Sequence, residues 1–318
     1  MKNNQQQTFP IDLVYLWVNG NDPQWQAKRN EFIGKTQEKS AVNCDGRYAD
    51  NDELKYSLRS VEKYAPWIRK IFIVTDNQIP QWLDTSNPKI RIVDHKKIMP
   101  PQSLPSFNST AIEHHICRIP GLSEHFLYAN DDMYLNRPVT PSTFFGADGY
   151  PIIRVNHRPF RKLLLKLREK ILHKKMSYYN RVVQNAAELV EKHYNKYFGA
   201  KEHHNIDAYL KSICIKAEEL FAKEIGLTIV NHVRTPNDIE RSLYNYVAMA
   251  EQKAHVKYVS QKTSLRIHIQ NPEHYKKLER YNPIFFCMND SEYAHDEDRR
   301  KAAQFLRERF PDKSPFEK

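Results

Sequence analysis

Cysteine is scarce in this sequence: Cys44, Cys117, Cys214 and Cys287 are the only four in 318 residues. They lie far apart and no two form a CxxC pair, which argues against a zinc site or a disulfide framework and for reduced, unpaired thiols. No apolar run reaches the length needed to span a bilayer. No cleavable leader precedes the first apolar segment; the chain opens on the polar stretch Met1-Lys-Asn-Asn-Gln-Gln-Gln7. Both absences predict a cytoplasmic protein. Internal repeats, low-complexity tracts and nucleic-acid-binding motifs are also lacking, so nucleic acid is not an expected partner.

What is present is apolar bulk and positive charge. The apolar fraction of 40% is enough for a substantial core, and 318 residues fit either two domains or one with an insertion. A net charge of +11 implies an anionic partner: a nucleotide, an acidic polymer, nucleic acid or an anionic membrane surface, among which charge alone does not choose.

Ile11-Asp-Leu-Val-Tyr-Leu-Trp-Val18 is a nearly continuous apolar run, as expected of a central parallel strand. Asn19-Gly-Asn-Asp-Pro23 follows as a tight turn, and a helix is expected from Gln24 to Lys35. Strand, glycine turn and helix start can cradle an anion, or can simply connect two elements. Leu54, Ser57, Leu58 and Val61 share a helical face, with Asp50 or Asn51 as cap; Arg47, just outside, is not explained by capping. Further strands are expected at Ile71–Thr75, Ile90–Asp94 and Phe126–Ala129, with a short helix at Ile79–Leu83. A helix from Ser109 or Thr110 to Ile119 would put His115 and Arg118 on neighbouring positions of one face. Strands alternating with short helices predict an α/β fold with a Rossmann-like, mostly parallel sheet and helices on both faces.

The strand ending at Ala129 runs into Asn130-Asp-Asp132. Ligands of open α/β sheets bind at the carboxyl ends of the strands. Two adjacent carboxylates there suit Mg²⁺ or Mn²⁺, which prefer hard oxygen donors, although an Asn-Asp turn also ends strands without any ion. Ile284-Phe-Phe-Cys-Met288, another short apolar strand, ends in Asn289-Asp290 and echoes that pattern. Between these strands, Arg158 to Tyr197 reads as strongly basic helix, with Leu164, Leu167, Ile171 and Leu172 in one stripe. That stripe fits a helix docked on the domain, a helix lying on a membrane surface, or a track for a polyanion. Next, Glu202-His-His-Asn-Ile-Asp207 reads as histidines before a helix start, with Asp207 and Lys211 one turn apart; a histidine there can take a hydroxyl proton at neutral pH. Arg234, in the loop before the helix that Pro236 is expected to open, is placed to hold phosphate.

Four blocks of the chain, in order, resemble the conserved regions of the Stealth family, the sugar-1-phosphate transferases of bacterial capsule synthesis. They are Ile11 to Asp22; Arg47 through Asp50-Asn-Asp-Glu53 and Ala111-Ile-Glu113 to Tyr128-Ala-Asn-Asp-Asp132; His204 to Tyr209 with Val233-Arg-Thr-Pro236; and Cys287-Met-Asn-Asp-Ser291 with the closing Phe310-Pro-Asp-Lys-Ser-Pro-Phe-Glu-Lys318. His232 departs from the family, where an arginine or another basic residue is expected, and the basic insert matches none of the four blocks.

The resemblance implies transfer of a sugar-1-phosphate, typically from a UDP-N-acetylhexosamine, to a hydroxyl of a saccharide or polyol acceptor, with UMP leaving. It implies a core at 8–155 that binds nucleotide-sugar and metal on a glycosyltransferase-A-like sheet and a part at 201–318 that completes the same active site; the basic helical insertion between them, at 156–200, is marked by its composition alone. On this expectation Asp131 and Asp132, with Asn289 or Asp290, hold Mg²⁺ or Mn²⁺. Trp17, Asn19, Gly20 and Asp22 line the nucleotide, with Arg47 and Asn51 nearby. Arg234 and Arg118 neutralise phosphate, His115 stands beside them, and His204 supported by Asp207 takes the acceptor proton. A metal-dependent glycosyltransferase releasing UDP, a glycerol-phosphate transferase and a non-catalytic basic module are the competing readings. The charge and the basic helix predict a loose hold on the inner face of the cell membrane.

Overall fold

The computed structural model describes residues 9–36, 48, 50–158, 160–171, 173, 176–291 and 293–318. In chain order these form β1 (Ile11–Leu16), α1 (Pro23–Thr36), α2 (Glu53–Tyr64), β2 (Ile71–Thr75), β3 (Ile90–Asp94), α3 (Ser109–Glu113), β4 (His125–Asn130), β5 (Met133–Leu135), α4 (Pro141–Phe144) and β6 (Ile152–Val155). They continue through α5 (Arg161–Lys170), α6 (Tyr178–Tyr194), β7 (Asp207–Leu210), α7 (Lys211–Leu220), α8 (Ala222–Ile229), α9 (Ser242–Ala250), β8 (His255–Tyr258), β9 (Ser264–His268), α10 (Pro272–Tyr281), β10 (Phe285–Asn289) and α11 (Asp296–Arg309).

The main sheet has the order β3-β2-β1-β4-β7; its first four strands are parallel and β7 is antiparallel to β4. Helices cover both faces, and the side-chain alternation shows it. Tyr15 on β1 hydrogen-bonds Ser57 of α2 at 2.6 Å. Tyr128 on β4, which is in register with Val14 and so faces the other way, reaches Glu113 of α3. The α/β class and mostly parallel sheet expected from the sequence are therefore what the chain forms.

Smaller sheets build outward from this one. β5 and β9 flank β10, antiparallel and parallel respectively, and β6 pairs with β8. On β10, Phe285 and Cys287 face the main core, while Phe286 and Met288 face a second apolar cluster with Tyr134, Leu306 and Phe310. The main cluster runs from Ile11 through Val183 and Val247 to Phe316, so all three sequence segments contribute to one core. The closing residues are fastened to it: Arg59 grips Glu317 through two hydrogen bonds of 2.7 and 2.8 Å.

Several elements differ from expectation. The helix expected to reach Ile119 stops at Glu113 and gives way to a 3-10 turn at Ile116–Arg118, so His115 and Arg118 do not share a helical face. Asp207 lies on β7 and Lys211 opens α7, so these two are not one helical turn apart. The stretch at 79–83 is turn rather than helix, and the helix after Pro236 starts at Ser242. Asp52, in the left-handed region, precedes α2 in place of a side-chain cap from Asp50 or Asn51. The basic region forms two helices instead of one. α6 buries Val182, Val183, Ala186, Ala187 and Val190, whereas the apolar stripe of α5 is not docked: Leu164 is 58% and Ile171 66% exposed. Leu172 lies outside the described residues.

The basic region leaves and re-enters the domain at one point. Asn156 N donates to Lys201 O at 2.8 Å and His203 N to Arg154 O at 3.0 Å.

Candidate active site

Parallel strands aim their carboxyl ends to one edge of the sheet. Asp131 and Asp132 leave β4 there and turn the chain into β5. β7 runs the other way: Asp207 pairs with Tyr128, so the residues before Asp207 extend past the end of β4, toward the acids. β10 reaches the same place from the second sheet, since Met288 N donates to Asp132 O at 2.9 Å. This topology gathers residues distant in sequence. A nitrogen of His204, a carboxylate oxygen of Asp132 and the sulfur of Cys287 all lie within 4.8 Å of one another.

The acids are crowded. Burial, then the neighbouring charges of Asp132, Glu53 and Asp50, raise the Asp131 carboxyl well above the usual range. Burial likewise pushes Asp132 and Asp50 up to about 6 and Glu53 to about 7. Asp132 Oδ1 and Asn289 Oδ1 are buried with no hydrogen-bond partner, while Asp132 Oδ2 accepts from Cys287 Sγ at 3.1 Å. Unmatched oxygens among mutually repelling carboxylates fit a hard divalent cation. Asp290 is differently placed: Arg299 Nε and Nη2 hold its two oxygens at 2.7 and 3.2 Å.

A cleft of about 450 Å³ lies alongside, lined by Gly20, Asn21, Arg29, Tyr48, Asn51 and Arg299 among others. Gly20 is needed at its wall. Gly20 N donates to Tyr48 O at 2.8 Å, and a Cβ on Gly20 would stand 2.0 Å from that oxygen. Trp17 is buried at the end of β1, and Asn19 exchanges hydrogen bonds with the Gln78 side chain. Asp22 caps α1 through Gln24 N at 2.9 Å and takes a second bond from Gln78. Asn51 is bonded to the Glu53 carboxylate. Arg47 lies outside the described residues. Behind the wall, Arg234 bonds Tyr48 Oη at 3.1 Å and Ser109 Oγ at 3.0 Å, and its charge is felt by Glu113.

Among the described residues, no hydrogen bond or ion pair joins His115 or Arg118 to the acids. Arg118, its side chain 52% exposed, pairs with Glu218 of α7 at 3.2 Å. His115 is buried with Nδ1 on Ala111 O, near His95 at the β3 side of the sheet. Asp207 does not support His204 directly: its carboxylate stands 3.0 Å from His203 Nε2 and 3.2 Å from Arg241 Nη1. His232, the position that departs from the family, bonds Pro105 O at 2.6 Å through Nδ1.

Three buried residues near this end of the sheet are given no role by the sequence. Glu113, buried and pushed up to about 7, faces Tyr128 Oη, which is also 2.9 Å from Asn130 Oδ1. Arg241 is buried among Glu113, Glu202, Asp207 and Glu240, and lies over the Tyr128 ring. Cys287 carried no signal beyond that of an ordinary core cysteine. For Arg241 the available clue was a charge inside an otherwise apolar helical pattern.

Comparison with known proteins matches residues 9–37 to Stealth protein conserved region 1 and residues 47–153 to conserved region 2. The exopolysaccharide phosphotransferase SCO6023 of Streptomyces coelicolor is 37% identical over 324 residues, covering 98% of this chain and 53% of that protein. An exopolysaccharide phosphotransferase of Nocardia farcinica is 36% identical over 98% of this chain and 61% of its own length. The capsular polysaccharide phosphotransferase cps1A of Actinobacillus pleuropneumoniae is 38% identical over 75% of this chain and 64% of its own. The chain thus spans about half the length of the Streptomyces relative and under two thirds of the others. Among solved structures, the galactosyltransferase LgtC in complex with donor and acceptor sugar analogues aligns with 95% of this chain and 96% of that one, at 10% identity and a TM-score of 0.46. With two conserved regions matched in order and relatives of this kind along nearly its whole length, the chain belongs to the Stealth family.

Proposed function

We propose that the chain transfers a sugar-1-phosphate, of the N-acetylhexosamine class, from a UDP-sugar to a hydroxyl of a saccharide acceptor, releasing UMP, in the synthesis of capsular or exopolysaccharide. The observation that carries this reading is the convergence of His204 and Asp132 at the carboxyl end of β4, beside a cleft of nucleotide dimensions. The phosphotransferase names of the relatives give it its reaction class.

Phosphoryl transfer needs alignment and charge neutralisation more than covalent help. Asp131, Asp132 and Asn289 would hold Mg²⁺ or Mn²⁺, which supplies positive charge to the diphosphate oxygens. The Gly20 turn and Asn51 bound the space for the nucleotide, and Arg234 lends a fixed guanidinium charge to its phosphate side. His204 takes the proton of the attacking hydroxyl. Asp207 acts at one remove, holding His203 and Arg241 so that the loop carrying His204 keeps its course. We place the protein on the cytoplasmic face of the membrane, held by the exposed apolar stripe of α5 in its lysine- and arginine-rich sequence. Among the described residues, no helix is long and apolar enough to cross a membrane.

The deciding experiment is product analysis with a panel of UDP-sugars and Mg²⁺, using the intact chain and Asp132→Asn. UMP with a phosphodiester signal in phosphorus NMR, lost in Asp132→Asn, is the expected result. Release of UDP would move the reaction to the anomeric carbon. Equal turnover by Asp132→Asn would overturn the metal assignment.

A further inference from the structure

The acidic junction contains donors that a magnesium site does not need. Asp132, His204 and Cys287 offer an oxygen, a nitrogen and a sulfur within 4.8 Å of one another, drawn from three separate parts of the fold. Cys287 is buried and its Sγ already points at Asp132 Oδ2, 3.1 Å away. Tetrahedral zinc, with bonds of about 2.0 to 2.3 Å, places its ligand atoms roughly 3 to 4 Å apart; the Cys287–Asp132 pair is already at that spacing, and the widest pair of the trio has at most about 1 Å to close. Three protein ligands with one position left open is also the pattern of zinc sites that remain accessible from solution. Thiolate and imidazole together select a softer ion than magnesium, for which they are poor ligands.

From this we infer that the junction is a second, overlapping cation site: Asp132, His204 and Cys287 bind a thiophilic divalent ion of the zinc class and thereby arrest the transferase. Binding forms metal–oxygen, metal–nitrogen and metal–sulfur bonds, and the Cys287 thiol proton passes to solvent; no electron is transferred. The same ion takes Asp132 from the hard cation and the lone pair of His204 from the acceptor proton. Arrest rests on the proposed function, but the site itself does not.

Co²⁺ is the probe. The full chain is stripped with EDTA and titrated with Co²⁺, with no donor or acceptor present. The expected result is a thiolate-to-cobalt charge-transfer band that saturates at one equivalent, accompanied by the intense visible bands of tetrahedral cobalt and displaced by Zn²⁺. Cys287→Ser should abolish the charge-transfer band, with near-ultraviolet circular dichroism confirming that the buried position still packs. His204→Asn, at a partly exposed position, should weaken cobalt binding and provides the decisive result if the serine variant fails to fold. Absence of the band, its survival in Cys287→Ser, or unchanged cobalt affinity in His204→Asn would overturn the inference. A transferase active with Mg²⁺ and showing no cobalt band would refute this site and leave the proposed function standing. The band without any transfer would do the reverse.

Discussion

Tyr128 Oη stands 2.9 Å from Glu113 Oε1, on the sheet face opposite the one that Tyr15 presents to α2. Burial raises the Glu113 carboxyl to about 7 from an ordinary 4.5, and the nearby guanidinium of Arg241 only partly offsets it. A folded-state value above the unfolded one means that the native protein holds this proton more tightly. The stabilisation is complete below pH 4.5 and is lost as pH rises through 7. Glu113→Gln removes that dependence. Its melting temperature relative to the parent should therefore climb between pH 5 and pH 7.5, and scanning calorimetry across that range checks it. A flat difference would show that Glu113 ionises normally.

His204 approaches Asp132 at the end of a strand pair. If it takes the acceptor proton, His204→Ala should lower kcat about 10²- to 10⁴-fold and remove the acidic limb of the pH–rate profile. Steady-state kinetics from pH 5.5 to pH 8.5 test this, and a variant that keeps the acidic limb would assign the base elsewhere.

Two arginines separate packing from surface charge. Arg241 is surrounded by four carboxylates with its side chain only 6% exposed. Removing one partner of a buried ion network costs about 3–5 kcal/mol, because the opposite charges stay behind. Arg241→Ala should lose that much stability in urea titrations. Arg118→Ala, which breaks a half-exposed pair with Glu218, should change stability by about 0–1 kcal/mol.

Gly20 lets the backbone of Tyr48 come closer than any side chain would permit. Gly20→Ala must push the turn at Gly20 and the backbone of Tyr48 apart. The donor KM should rise about tenfold while kcat changes less, the pattern of lost uniform binding. Initial rates over a donor concentration series measure both.

The stripe on α5 is apolar, exposed and set in a basic helix. Leu164→Asp combined with Ile171→Asp should release the protein from vesicles containing anionic lipid and leave turnover on soluble substrates near the parent value. Flotation assays at low and high salt read the first effect. Equal flotation of parent and variant would remove the membrane role.

Much of the sheet could be read from the sequence because its central strands are buried on both faces. Ile71–Thr75 and Ile90–Asp94 form with the bounds their composition indicates, and β1, β4 and β10 shift by one or two residues. β8 had no such signal: its four residues are all exposed, so neither alternation nor an apolar run marks them. β7 was hidden for a different reason. It is fully buried but opens on Asp207, whose compensating charge, Arg241, lies 34 residues away and becomes its neighbour only in the folded state. The acids were legible as strand-end residues, whereas their sulfur neighbour was not. Cys287 gains its chemistry from the pairing of β10 with β5, which local sequence does not encode.

The hydrogen bonds that join Asn156 to Lys201 and His203 to Arg154 have a consequence for exchanging the segment between them. The two ends of the segment between those positions lie side by side, next to the loop that carries His203 and His204. Beyond that neck the segment is also anchored along α6, whose Val183, Ala187 and Val190 enter the main core and whose Asn185 bonds Pro236 O and Asp238 O. A chimera that trades this segment between relatives should fold only when it also carries the matching faces of α9 and of the loop around Pro236.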